Sequence, residues 1–354
     1  MMLQKISQRL QATRTKCVDA FKGVSEDVSD GRPWLRLALI GLLVVLLILI
    51  VWGWFKSQEP DTFEVAPRIL TYVPPEQVAV KGVATTVTLL EVMEVMLDGY
   101  VSNDIFPPGV WLDNRANWEY GVLIQVRDLS KALREAYSRS QSQSVEDKAL
   151  MIADPHFNFD NSSWIMPNTE KEYRAGMNQV LDYLNRLVDE DRHSAQFYAR
   201  ADNLNYWLAT VESRLGSLSQ RLSASVGQRR LNTDLAGDSA AVKSTDTPEE
   251  IEIKTPWLEV DDVFYEARGS AWALIHILRA VEIDFAEVLE KKNAGVSMQQ
   301  IVRELEATQE AVFSPVILNG SGFGVLANHS LVMASYISRA NAAIINLREL
   351  LAQG

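Results

Sequence analysis

One stretch of the chain breaks the usual mixing of apolar and polar positions. Leu37 to Phe55 reads LALIGLLVVLLILIVWGWF, nineteen consecutive residues without a charge. As a helix rising ~1.5 Å per residue it covers roughly 28 Å, against a bilayer hydrocarbon core of ~30 Å, so the run predicts a transmembrane helix over 37–55. A buried core helix would need a domain around it, and only 36 polar, weakly patterned residues come before. Trp34 and Arg36 at one end, and Trp52 and Trp54 at the other, stand where membrane-interface anchors belong. An indole rests at that level because its ring prefers the apolar side while its N–H keeps a polar partner.

Beyond the span the apolar positions recur at helical spacing. Glu59 to Pro75 holds four prolines and no sustained period, and is expected to be a linker or stalk over 56–75. A helix is predicted from Thr85 to a stop at Gly99, and another over Trp118–Arg139 on the stripe Val122, Val126, Leu129, Leu133 and Tyr137. The polar 138–144 run reads as a solvated helix end. Residues 151–169 read as irregular, with Phe157, Phe159 and Trp164 pinned to the core. Thr169 and Glu172 form a capping box for a helix to about Val188.

The next helix is expected from Ala195 to about Gln228, on a stripe running from Tyr198 through Leu208 and Leu215 to Val226, long enough for an interaction arm. Gly216 within it implies close packing, since glycine costs a helix ~1 kcal/mol relative to alanine. Small and polar residues over 231–256 mark either an internal boundary or a long loop. Helices resume over Val260–Lys292, Ser297–Gln309 and Gly324–Leu351, the last rich in alanine. Strand signals are confined to short pieces such as 78–88. The expected fold is mostly α, one N-terminal transmembrane helix followed by a periplasmic multi-helix bundle with long irregular loops over 76–354.

Charge orients this picture. Residues 1–36 hold seven Lys and Arg against four Asp and Glu, a net +3, which leaves −15 for the remainder of a chain whose total is −12. Lys56 alone follows the span before acids take over. The positive tail therefore belongs in the cytoplasm and the C-terminal domain in the periplasm of a bacterial inner membrane. A cleaved signal peptide fits less well, since WGWFK stands where small residues should precede a cleavage site. Leu3, Ile6, Leu10, Cys17 and Phe21 share one face of a basic segment, either a second lipid contact or a short soluble tail. Cys17 is the one cysteine, so no internal disulfide framework or multi-cysteine zinc site exists. The acidic balance disfavours nucleic acid as a partner.

Several stretches resemble a family of bacterial single-pass inner-membrane proteins known as domain of unknown function 2333. They include YVSNDIFPPGVWLDN, WEYGVLIQVRDLSKALR, TPWLEVDDVFYEARGSAWAL and VILNGSGFGVLANHSLVMASYISRANAAI. The likeness covers nearly all of 70–354. It implies a proteobacterial source and the same anchored topology, and supplies no catalytic residues.

Candidate chemistry is sparse. The Asn319-Gly-Ser-Gly-Phe-Gly324 piece precedes a helix, whose N-terminal amides attract anions, yet it lacks a phosphate-loop lysine and a preceding strand. A turn between helices is the simpler reading. Glu190 and His193 have the spacing of a di-iron bundle ligand pair, without the second copy such a site needs. His276 falls in an apolar run and reads as a core residue. Asp154, His156 and Asp160 form a carboxylate–histidine cluster in sequence, and Asp261, Asp262 and Glu266 fit the acidic first turn of a helix. No catalytic residue, metal or cofactor is assigned. The leading expectation is a non-enzymatic envelope protein that binds a partner, or itself, through the 195–228 helix. The alternative is a periplasmic ligand-binding domain or enzyme acting on a small molecule, lipid or glycan, with a pocket that gathers His156, Asp160, Asn319, Ser321 and His329.

Overall fold

The computed structural model describes residues 33–139, 145–189, 194–231, 250–314 and 316–353. Among the described residues there are 11 helices and one two-stranded sheet, and with 69% helix the chain is mostly α. It forms two compact units, residues 1–55 and 56–354.

In the first unit, helix α1 (Pro33–Ser57) takes in the whole apolar run and extends it at both ends. Its segment Arg36–Lys56 is long and apolar enough to cross a membrane, and its side chains are almost wholly exposed, the opposite of a core helix. The basic face over 1–22, with Cys17, lies outside the described residues.

The second unit builds ten helices on one apolar core. They are α2 (Val65–Ile69), α3 (Val83–Leu97), α4 (Asp113–Ala132), α5 (Lys148–Phe157), α6 (Thr169–Leu187), α7 (Ala201–Ser223), α8 (Val260–Asp284), α9 (Ala286–Lys291), α10 (Gly295–Glu306) and α11 (His329–Ala352). The central pair is α4 with α8, and two glycines set how closely these helices approach. A Cβ on Gly269 would lie 2.0 Å from the Trp118 carbonyl oxygen, and one on Gly121 would lie 2.1 Å from that of Glu266. Trp118 and Trp272 fill the crossing with centroids 5.1 Å apart. Helix α7 packs along α11, Ser219 reaching the Ala334 carbonyl at 3.5 Å and Arg348 reaching Asn205 at 2.8 Å, so the two run antiparallel. Helices α5 and α6 pack as a pair, with Phe157 against Gly176.

Helix α3 has no cap of its own. Asp284, at the end of α8, supplies it by accepting the Gly82 N–H (2.8 Å), the Thr85 N–H (2.7 Å) and the Thr85 hydroxyl (2.6 Å). A carboxylate on the amides of a helix start satisfies otherwise orphaned donors. Glu119 does similar work at the other end of α3, where it accepts the Val101 and Ser102 N–H groups and pairs with buried Arg115 at 3.2 Å.

Several expectations are corrected. The 56–75 lead-in is no free stalk: Val65, Ile69 and Val73 are buried in the core, and Phe63 stacks on His276 at 3.9 Å. Residues 83–88 are helical, and the strands lie elsewhere, β1 (Gln228–Leu231) pairing antiparallel with β2 (Glu250–Ile253). That pairing brings the ends of the 231–256 stretch together. Part of the irregular 151–169 stretch is helix α5, capped by Asp147. Trp164 is 51% exposed rather than pinned to the core. The cap of α6 is Asn168, which accepts the Lys171 N–H, while Thr169 bonds the Asp160 and Ser163 carbonyls.

The 195–228 helix is shorter, spanning 201–223. Its stripe is spent inside the fold: Leu204, Leu208, Val211, Leu215, Leu218 and Leu222 are all buried, leaving no apolar arm. Gly216 is not a close contact either, for a Cβ there would lie 3.6 Å from Asn341 Nδ2, an ordinary contact. The long 260–292 helix breaks at Phe285 into α8 and α9, and the last helix begins at His329 rather than Gly324.

Candidate functional site

The residues singled out in the sequence separate into two places. His156 sits near the end of α5 with Nδ1 2.8 Å from Glu172 Oε2 on α6, a half-exposed tie between paired helices. Asp160 closes a turn by accepting the Ser162 N–H and hydroxyl, both at 2.9 Å, and those hydrogen bonds hold its carboxyl below the usual range. Asp154 turns instead to Arg134 at 3.4 Å. No group of three or more His, Cys, Asp or Glu able to hold a metal occurs among the described residues. Glu190 and His193 lie outside them.

The glycine-rich segment folds back on itself. Asn319 and Asn328 pair as an isolated bridge, and the Gly320 N–H donates to the Ala327 carbonyl at 3.1 Å. A Cβ on Gly320 would lie 2.3 Å from the Leu326 carbonyl, so the return requires glycine there. Asn328 then caps α11, its side chain accepting the Leu331 N–H at 2.8 Å. The helix start is therefore closed by its own cap, and the loop turns the chain between helices. Ser321 is at the exposed tip.

At the start of α11 lies a half-open cleft of about 480 Å³. Phe264 and Arg268 come from α8, Val312 and Phe313 from the chain after α10, and His329, Val332, Met333 and Tyr336 from α11. Of the five residues expected to share a pocket, His329 alone lines this one. Its cation is fully occupied. Arg268 pairs with Glu59 and donates to the carbonyls of Thr308 (3.0 Å), Gln309 (3.1 Å) and Glu310 (2.8 Å). It clasps the 308–310 turn to the lead-in.

His329 differs. Its Nδ1 accepts the Leu318 N–H at 3.1 Å while its own N–H donates to the Leu318 carbonyl at 2.8 Å. With Nδ1 an acceptor, the neutral ring carries its proton on Nε2, a donor with no partner among the described residues. The cleft thus has an apolar floor and a few polar groups, His329 Nε2 and the hydroxyls of Ser314 and Tyr336, a lining that buries a hydrophobic group and orients it by hydrogen bonds. Its other members gave no sequence signal. Phe264 and Met333 sit in ordinary helical stripes, and only the tertiary fold brings them together.

His276 has the opposite character. Its Nε2 accepts the Phe63 N–H at 2.9 Å and its Nδ1 donates to the Trp272 carbonyl at 2.7 Å. Burial pulls its pKa down to about 3, so it is a neutral structural link.

Against this geometry stands one match: the model of a family described as an uncharacterized protein conserved in bacteria (DUF2333) covers residues 29–354. The chain belongs to this family. The DUF2333 match takes in the apolar helix, the pinned lead-in and the cleft alike. No curated protein matches the chain, and no solved structure does.

Proposed function

We propose that this DUF2333 protein is a single-pass inner-membrane protein of the bacterial envelope, cytoplasmic at its N-terminus and periplasmic in its helical domain. We further propose that the domain binds rather than catalyses, taking an apolar group that carries a hydrogen-bond acceptor. The orientation rests on the seven basic residues before the span against Lys56 alone just after it. The binding reading rests on one observation, the largely apolar cleft into which His329 Nε2 offers a donor with no partner among the described residues, beside the hydroxyls of Ser314 and Tyr336. Of the hydroxyls in its wall, Ser314 accepts the Val316 N–H at 3.4 Å and Thr308 donates to the Leu305 carbonyl at 2.5 Å.

Native mass spectrometry of the full chain, released from detergent, tests this reading. The expected result is a stoichiometric bound apolar molecule that Val332→Trp, which fills the cleft from an exposed position, removes. Val296→Trp, on an exposed position of α10, should leave it bound. A wild-type chain with no added mass, or a Val332→Trp chain that keeps it, contradicts the reading.

A second reading, an envelope-protein partner, is favoured by the chain between α10 and α11, where Phe313 is 98% exposed and Phe323 and Val325 are fully exposed. Membrane cross-linking of the full chain should then recover a reproducible envelope protein, and Phe323→Ser should abolish that recovery.

A further inference from the structure

Three loops at one end of the helical domain carry large apolar side chains into solvent. The first, before α4, exposes Phe106 and Trp111; the second, before α6, exposes Trp164 and Met166; the third, before α8, exposes Trp257 and Leu258. Met166 is 88% and Trp257 82% exposed, values that a soluble surface rarely gathers in one place. Hydrogen bonds hold the three loops together. Asn103 donates to the Ser163 carbonyl at 3.1 Å, joining the first to the second, and Asn117 donates to Asp262 at 2.7 Å, joining the starts of α4 and α8.

The chain enters the domain at this same end. Lys56 pairs with Asp104 at 2.9 Å, and Arg115, in the first turn of α4, donates to the Gln58 carbonyl at 3.0 Å. The loop is moulded on that pair, for a Cβ on Gly109 would lie 2.0 Å from the Asp104 carboxylate. Phe55, the last residue of the apolar run, is joined to Lys56 by a peptide bond. Whatever direction α1 takes from there, the lipid boundary reached by the apolar run lies within a residue or two of this end.

We propose that this end of the domain is a membrane-seating face, its three tryptophan-bearing loops lodged at the headgroup level of the leaflet from which the chain emerges. Tryptophan suits that level because its ring and N–H prefer opposite sides of the boundary. Asp113, Asp261 and Asp262 lie at the same end. Attraction to anionic headgroups is therefore not the cause, and the fitting surface is a zwitterionic one entered by aromatic and aliphatic side chains. The seating holds the domain close to the bilayer, where a free stalk would let it swing. It rests on the reading of α1 as a membrane span and is independent of what the His329 cleft binds.

The test uses the full chain with Cys17→Ser, reconstituted in phosphatidylcholine nanodiscs. Nitroxide labels go on single cysteines at Val110→Cys, Met166→Cys and Leu258→Cys, which leave every tryptophan in place. Leu46→Cys reports the span. Val296→Cys, an exposed apolar position at the start of α10 beyond the far end of α8, reports that end. Circular dichroism confirms that each variant is folded. The expected result is a ratio of oxygen to nickel-chelate accessibility several-fold higher at 110, 166 and 258 than at 296, with 46 highest. A lipid-like 46 with water-like values at the three loops overturns the seating face and leaves the span intact. A water-like 46 overturns the span and the seating together, and a lipid-like 296 overturns the one-ended arrangement.

Discussion

Replacing Gly269 with alanine sets a methyl carbon 2.0 Å from the Trp118 carbonyl oxygen, 2.8 Å from its carbon and 3.0 Å from its Cα. An ordinary contact needs about 3.4 Å, so α4 and α8 must part by roughly 1.4 Å along that line or shift past each other. Backbone lies on both sides, which leaves no side chain to rotate away. Overpacking a tight core costs ~1–3 kcal/mol and sometimes more, and this rigid contact belongs at the upper end. Alanine returns up to ~1 kcal/mol of helix propensity, leaving a net loss of about 2 kcal/mol or more. Gly216→Ala is the matched control. It gains the same propensity, and its added Cβ would lie 3.6 Å from Asn341 Nδ2, so it should stabilise by up to ~1 kcal/mol. Urea unfolding of the full chain in detergent, followed by circular dichroism, compares the two midpoints. A Gly269→Ala midpoint equal to or above that of Gly216→Ala would refute the close-approach argument.

Three further outcomes are expected. Asp284→Ala strands the donors of Gly82 and Thr85 and should cost about 3 kcal/mol at ~1 kcal/mol per lost hydrogen bond, with Asp284→Asn losing less; equal stability of all three chains by urea titration would contradict the long-range cap. His276, held neutral with a folded pKa of about 3 against 6.5 unfolded, binds its proton more readily in the unfolded chain. Its contribution is present above pH ~6.5 and is lost as pH falls toward 3, by up to ~1.4 kcal/mol per pH unit. Buried Glu119 and Asp284 have raised carboxyl pKa values and act in the opposite sense, so the measurable quantity is the difference from His276→Gln, and parallel pH–stability curves for the two chains would refute the assignment. Asn328→Ala removes the cap of α11 and should cost ~1 kcal/mol, accompanied by faster amide exchange at Leu331; unchanged exchange there would rule the cap out.

The features legible in the sequence were those set by local composition. Nineteen uncharged residues announce a membrane-length helix regardless of what surrounds them. The helices with one buried face, such as α4 and α7, betray it by period. What failed depends on partners far along the chain. Residues 194–200 keep helical spacing but form no helix, and Tyr198 instead donates to the Tyr137 carbonyl at 2.7 Å while Tyr183 reaches the Gln196 carbonyl at 2.8 Å. Helix α5 was hidden by Pro155 in its last turn, although Asp147, which accepts the Ala149 N–H at 2.9 Å, was a readable start signal.

Gly121 and Gly269 look like Gly216 in sequence, and only the helix crossing distinguishes them. The site divides in the same way. His329 stood out as a histidine beside a glycine-rich turn, whereas its cleft is assembled from α8, the 308–314 chain and α11, which no local pattern joins. His156 and Asp160 are near His329 neither in sequence nor in the fold; their chemistry is taken up by Glu172 and Ser162.

The central claim is that an apolar helix holds an acidic helical domain on the far side of the inner membrane. Paired reporters fused after Gly354, alkaline phosphatase in one strain and a green fluorescent protein exported through the same general pathway in the other, test it most directly. The account predicts active phosphatase and a dark fluorescent fusion, both in the membrane fraction. Bright fluorescence with inactive phosphatase would contradict it.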